Sequence, residues 1–149
     1  MERTLIILKP DALQRSLMGD IVHRLERRGL QFIGLKLLIP TMELAQEHYK
    51  VHRERDFYPG LIDYITSSPV VAGVVEGVGV VKLVRETVGA TRPVEATPGS
   101  IRGDLAVDVG RNLIHASDSA ENGAVEVALW FRDDELVSYQ LTNERWIHG

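Results

Sequence analysis

Short unbroken apolar runs alternate along this chain with stretches in which apolar residues recur every three or four positions. The first run, Thr4 to Leu8, is closed by Lys9-Pro10-Asp11 and predicts a buried strand. Asp20 can cap a helix reaching about Arg28, with Ile21, Val22 and Leu25 on one face and Gly29 as its stop. Phe32 to Ile39 predicts a second strand, ended by Pro40. Thr41 then caps a helix to about Arg55, followed by a helical piece from Leu61 to Thr66. Val70 to Glu76 predicts a third strand, and Val80, Val81, Val84 and Val88 line one face of a helix ended by Gly89. Val125 to Phe131 predicts a fourth strand.

The predicted order is β-α-β-(α-α)-β-α-…-β. Four strands with intervening helices imply an α/β (α+β) sandwich on one antiparallel sheet, of the ferredoxin-like type. A long stretch with weak periodicity, Ala90 to Val125, precedes the last predicted strand, and loops of that length in a compact domain are usually functional.

Composition narrows the setting. With 149 residues and 44% hydrophobic content the chain is expected to form one globular domain, residues 1–149. It has no cysteine, which excludes disulfides and thiolate metal sites and fits a reducing compartment. No apolar run approaches 18 residues and the N-terminus lacks a signal-peptide layout, so a cytoplasmic protein is expected, without a membrane partner. The formal net charge of −4 gives no reason to expect nucleic acid.

Five histidines are candidates for chemistry. His48 and His52 have metal-ligand spacing on a predicted helix, but no third ligand is evident, and a solvated helix face is the plainer expectation. His23 and His148 are expected at the surface. His115 differs, because it ends an apolar pair and is followed by Ala116, Ser117, Asp118 and Ser119. Small neighbours leave an imidazole accessible. If a fixed acceptor holds one ring nitrogen, the other is free to attack. Lys9, Arg85, Arg92, Arg102 and Arg111 offer positive charge, and arginine suits bidentate binding of phosphate oxygens. There is no P-loop, and Gly77 and Gly79 lack the rest of a dinucleotide fingerprint. Arg102-Gly103-Asp104 spells an adhesion tripeptide that recurs by chance.

Several separate motifs, in order and spacing, match one family. The pieces are RTLIILKPDALQR, GDIVHRLERRGL, EHYKVHRERDFYPGL, SSPVVAGVVEG, ATRPVEATPGSIRGD, VGRNLIHASDS and ELVSYQLTNERWIHG. Over nearly its whole length the chain resembles nucleoside diphosphate kinases, whose signature Asn-x-x-His-Gly/Ala-Ser-Asp is met by residues 112–118. The resemblance implies transfer of the terminal phosphate of a nucleoside triphosphate to a nucleoside diphosphate, by a ping-pong route through a phosphohistidine. It implies His115 as nucleophile, Glu126 on the fourth strand orienting the imidazole, Ser117 supporting Glu126, and Tyr49 approaching from the helical hairpin. Lys9 would meet the phosphates and ribose. Arg85, Thr91 and Arg102 would hold the β and γ phosphates, and Asn112 the ribose. Phe57 would stack on the base, with Leu61 and Val109 lining the slot. The implied cofactor is Mg2+, held mainly by phosphates and water with Asp118 near its shell. Implied partners are nucleotides such as ATP, ADP, GTP and GDP, and further copies of the chain in a homohexamer. A catalytically silent member would lack the nucleophile or a phosphate ligand, and this chain lacks neither.

Overall fold

The computed structural model describes residues 1–149. Four strands, β1 (Glu2–Leu8), β2 (Gln31–Leu38), β3 (Val70–Gly77) and β4 (Ile114–Ala116), form one sheet in the order β2-β3-β1-β4. All pairings are antiparallel. Seven α-helices accompany the sheet: α1 (Pro10–Gln14), α2 (Met18–Arg27), α3 (Met42–His48), α4 (Tyr58–Ile65), α5 (Val80–Val88), α6 (Ile101–Leu105) and α7 (Ala120–Trp130). This is the expected ferredoxin-like sandwich.

The central strands β1 and β3 are buried on both faces, as their continuous apolar sequences require. Alternate residues of β1 feed two separate cores. Ile6 and Leu8 pack with α2 and α5, whereas Leu5 and Ile7 pack with α3, α4 and α7. The second core carries Tyr49, Val127 and Trp130, and so forms the floor beneath His115.

Three expectations are corrected. Val125–Phe131 is not a strand, because Ala120–Trp130 is a helix. Ser119 caps it by accepting the Asn122 N–H, and the buried residues Gly123, Val127 and Trp130 follow a spacing of four and three. The alternation of Val125, Val127 and Leu129 imitates a strand, yet Val125 faces solvent. The fourth strand is Ile114–Ala116 and contains His115 itself, with Ile7 as its partner on β1. The helix capped by Thr41 ends at His48, where Tyr49 leaves helical geometry and a short 3-10 turn follows. Asp20 lies in the first turn of α2 rather than at its cap.

Gly123 lets α7 approach the sheet. A Cβ there would lie 2.2 Å from the Arg3 carbonyl oxygen, a backbone atom that cannot swing away. The close approach sets the height of Glu126, one turn further along α7.

Candidate active site

The site is built outward from β4. The strand is only three residues long and has β1 as its one neighbour, so its outer edge is open. Before it, Leu113 adopts φ +74°, a left-handed conformation rare for a bulky side chain. Two bonds hold it there: the Leu113 N–H donates to Asp11 Oδ2 at 3.0 Å, and the Leu113 carbonyl accepts the Lys9 N–H at 2.8 Å. Asp11 also accepts from the Tyr64 hydroxyl, and the Arg111 guanidinium lies over the Tyr64 ring at 4.4 Å. This clamp turns the chain into β4.

His115 is partly exposed, and its Nε2 lies 3.1 Å from Glu126 Oε1. Ser117 donates to the same oxygen at 2.5 Å and accepts the Leu5 N–H at 3.0 Å. A rigid central strand thus fixes Ser117, which fixes Glu126, which fixes the ring. The carboxylate partner assigns the ring proton to Nε2 and leaves the lone pair on Nδ1. Burial pushes the Glu126 carboxyl up. Hydrogen bonding and charge from His115, the Ser117 hydroxyl and His48 outweigh it, so the net displacement is below the usual carboxylate range.

Basic groups gather beside the histidine. Lys9 Nζ donates to Asn112 Oδ1 at 3.0 Å, and Asn112 Nδ2 donates to the Thr91 carbonyl at 3.0 Å. Arg85 Nη1 donates to the Ala116 carbonyl at 3.1 Å. Arg102 is buried and donates to three carbonyls, those of Asn112, Gly89 and Ile114. Two of its five N–H groups remain for a ligand. The adhesion tripeptide is therefore not displayed, since its arginine laces the long loop to β4. Burial, then the nearby Arg102 guanidinium, bring Lys9 down to about 8 against the opposing pull of Asp11. Burial, then Arg85, bring Arg102 down to about 10. Each cation feels the next, which describes a local excess of positive charge, only partly offset by Asp11, that suits an anion.

The remaining expected groups are placed less closely. Tyr49 is buried, with a hydroxyl that has no hydrogen-bond partner, and burial, then the charge of Glu126, hold it protonated to higher pH than an ordinary tyrosine. Phe57 is half exposed at the start of α4, Leu61 follows it on the same helix, and Val109 lies in the turn between Asp108 and Arg111. Asp118 is exposed, and one of its oxygens accepts from Asn122 at 2.6 Å. That single open carboxylate fits a cation held mostly by phosphates and water rather than a protein cage. An open groove of about 860 Å³ borders Arg85 and Asp118, but His115, Lys9 and Phe57 do not line it, so it is not the expected nucleotide slot.

His48 overturns its expectation. Its side chain is buried, not solvated, and it groups with His115 and Glu126 rather than His52, the three ligand atoms lying within 4.8 Å of one another. Yet His48 Nδ1 accepts the Trp130 indole N–H at 3.0 Å, so its one lone pair there is already engaged. Asp11 and Trp130 join this cluster although the pattern along the chain did not single them out, and it singled out His48 only for its spacing from His52. Only their packing around His115 and Leu113 distinguishes them.

The chain is similar throughout to members of one family. The family profile described as Nucleoside diphosphate kinase matches residues 2–136. A nucleoside diphosphate kinase of Thermomicrobium roseum is 55% identical over 149 residues, covering 100% of each chain. One from Herpetosiphon aurantiacus is 58% identical, covering 99% of each. Among solved structures, a halophilic nucleoside diphosphate kinase from Halobacterium salinarum in complex with CDP has a TM-score of 0.96 at 46% identity, covering 99% of each chain. A nucleoside diphosphate kinase family protein from Babesia bovis has a TM-score of 0.96 at 43% identity, covering 99% of this chain and 100% of its own.

Proposed function

This chain belongs to the nucleoside diphosphate kinase family, and on that premise we propose that it passes a phosphoryl group between nucleotides through His115. The observation that carries the assignment is the His115–Glu126–Ser117 chain of hydrogen bonds beside Lys9, Arg85 and Arg102. His115 Nδ1 attacks the γ-phosphorus, an N–P bond forms as the bond to the bridging oxygen breaks, and the nucleoside diphosphate leaves. A second diphosphate enters, its terminal oxygen attacks the same phosphorus, and Nδ1 recovers its lone pair. The Nε2 proton stays on the bond to Glu126 throughout.

Such transfer needs alignment and positive charge more than covalent machinery. Lys9, Arg85 and Arg102 supply the charge, with Thr91 as a further donor. Asn112, bonded to Lys9, would meet the ribose. Tyr49, packed against His48, carries an unpartnered hydroxyl. Mg2+ would neutralise phosphate charge, reached by Asp118 through water. Phe57, Leu61 and Val109 offer stacking and apolar contact without edge-reading groups, so purine and pyrimidine nucleotides are both substrates. That the halophilic relative was solved with CDP supports pyrimidine use.

The absence of cysteine supports a cytoplasmic setting, and no helix is long and apolar enough to cross a membrane. Exposed Leu35, Leu37 and Ile39 on and just after the edge strand β2 support self-association, which we read as a homohexamer.

Incubation with γ-labelled ATP and Mg2+, without acceptor, is expected to label the protein in an acid-labile, alkali-stable form. ADP, GDP or CDP should each discharge it. His115→Ala is expected to abolish label and turnover while keeping nucleotide binding, and Glu126→Gln to slow transfer without abolishing it. Turnover near the wild-type rate by His115→Ala would overturn the covalent route.

A further inference from the structure

A hydrogen bond to Glu126 fixes one nitrogen of His115 but not the plane of its ring. The imidazole can still rock about the line from Cβ to Nε2, and rocking swings Nδ1 away from an in-line approach. The short β4 has no outer neighbour to restrain it. On the inner side a second imidazole meets it. The His48 and His115 ring centroids are 4.7 Å apart with planes at 80°. His48 makes similar edge contacts with Tyr49 at 4.7 Å and Trp130 at 5.5 Å.

We propose that His48, held by the indole of Trp130, is a positioning residue that fixes the plane of the His115 ring and must stay uncharged to do so. It rests on the reading of His115 as the phosphoryl carrier. Three observations carry it. His48 ends α3, Trp130 ends α7, and Glu126 lies one turn before Trp130, so the contact ties both helices to the strand that bears His115. The Trp130 N–H donates to His48 Nδ1 at 3.0 Å, so the neutral ring carries its proton on Nε2, and protonating Nδ1 would cost that bond. Finally, His48 Nδ1 lies only 4.0 Å from Glu126 Oε2. A charged His48 would compete with His115 for the carboxylate that orients it.

The groups facing His48 are His115 on β4, Glu126 and Trp130 on α7, Tyr49 beside it, Lys9 after β1, and His52 in the following turn. Burial first, then the positive potential of His115, Lys9 and His52, hold His48 down to about 3 against the pull of Glu126. An apolar residue of similar shape would pack as well against His115, but it would leave the buried Trp130 N–H without an acceptor.

The test measures single-turnover labelling by γ-labelled ATP from pH 5 to 9, with ADP affinity alongside. His48→Gln keeps an acceptor for Trp130 but loses the ring. It is expected to slow labelling about ten- to a hundredfold, the scale of a roughly 1 Å misplacement, with ADP affinity little changed. Trp130→Phe keeps the ring but frees Nδ1, and is expected to move the acid limb of the rate profile to higher pH. In the wild-type protein, nitrogen chemical shifts should report a neutral His48 with its proton on Nε2 from pH 5 to 8, which needs no variant to fold. Labelling rates and pH profiles equal to wild type in both variants would overturn the positioning role. So would a charged His48 at pH 6, or a rate loss matched by equal loss of ADP affinity. If the wild-type protein takes no label at all, the phosphohistidine reading falls and the positioning role with it.

Discussion

Lys9 couples the site to pH. Its ammonium is brought down to about 8 by burial and by Arg102, so in the free protein it loses its proton near that pH. A polyphosphate beside it favours the charged form and raises its affinity for the proton. Nucleotide binding therefore takes up protons above pH 8 and none where Lys9 is charged in both states. Affinity is expected to weaken as pH rises through 8, by up to about tenfold per unit. Calorimetry at pH 8.5 in buffers of different ionisation enthalpy should report proton uptake, and Lys9→Met should abolish it. Uptake that survives the substitution would assign it to another group. Lys9, Arg102, Asn112 and His115 were legible because a role came with the motif each falls in, whereas Arg85 came only with the resemblance as a whole. The place of His48 was not legible. A histidine on a helix looks the same along the chain whether it faces water or a second imidazole. Its burial is decided by Trp130, 82 positions away.

The most consequential element is α7, the one that periodicity misread. Alternating Val125, Val127 and Leu129 suggested a strand, while the cap at Ser119 and the buried series Gly123, Val127, Trp130 made a helix. Glu126, expected on a strand, lies on this helix with an oxygen 3.1 Å from His115 Nε2. The remaining strands and the long helices were legible because their apolar positions were unambiguous. The three-residue β4 was too short for any period. Gly123 is where the register of α7 can be tested. Alanine in a helix gains about 1 kcal/mol over glycine. Against that, its Cβ would meet the Arg3 carbonyl oxygen at 2.2 Å, and forced shifts of this kind cost about 1–3 kcal/mol. The clash should win because backbone opposes backbone. Gly123→Ala is expected to lower the urea midpoint and to slow labelling of His115, since Glu126 moves with the helix. A variant as stable and as active as wild type would show that α7 does not set the carboxylate.

At the scale of the whole molecule, β2 is an edge strand with only β3 beside it. The chain covers part of its outer edge itself: the Val137 N–H donates to the Ile33 carbonyl, and the Tyr139 hydroxyl to the Phe32 carbonyl. Beyond that cover Leu35, Leu37 and Ile39 stand more than half exposed. Unpaired apolar edges invite another strand, and a two-fold pairing of β2 with its copy would bury all three residues twice. Fully burying an aliphatic side chain is worth about 1.5–3 kcal/mol; six that are already half covered gain roughly 5–9 kcal/mol. Association costs about 4–15 kcal/mol, so this edge alone holds a pair only marginally and a larger assembly needs another face. The long loop offers one, with Val94 and Val107 largely exposed. Light scattering at micromolar concentration is expected to report six copies of the 16.6 kDa chain. Leu37→Glu should reduce that mass, because two like charges would face each other at the two-fold. The smaller species should still take label at His115, since Lys9, Arg85, Arg102, Glu126 and Ser117 all come from one chain. A wild-type monomer would overturn the assembly, whereas an unlabelled Leu37→Glu monomer would mean that a neighbouring subunit completes the site.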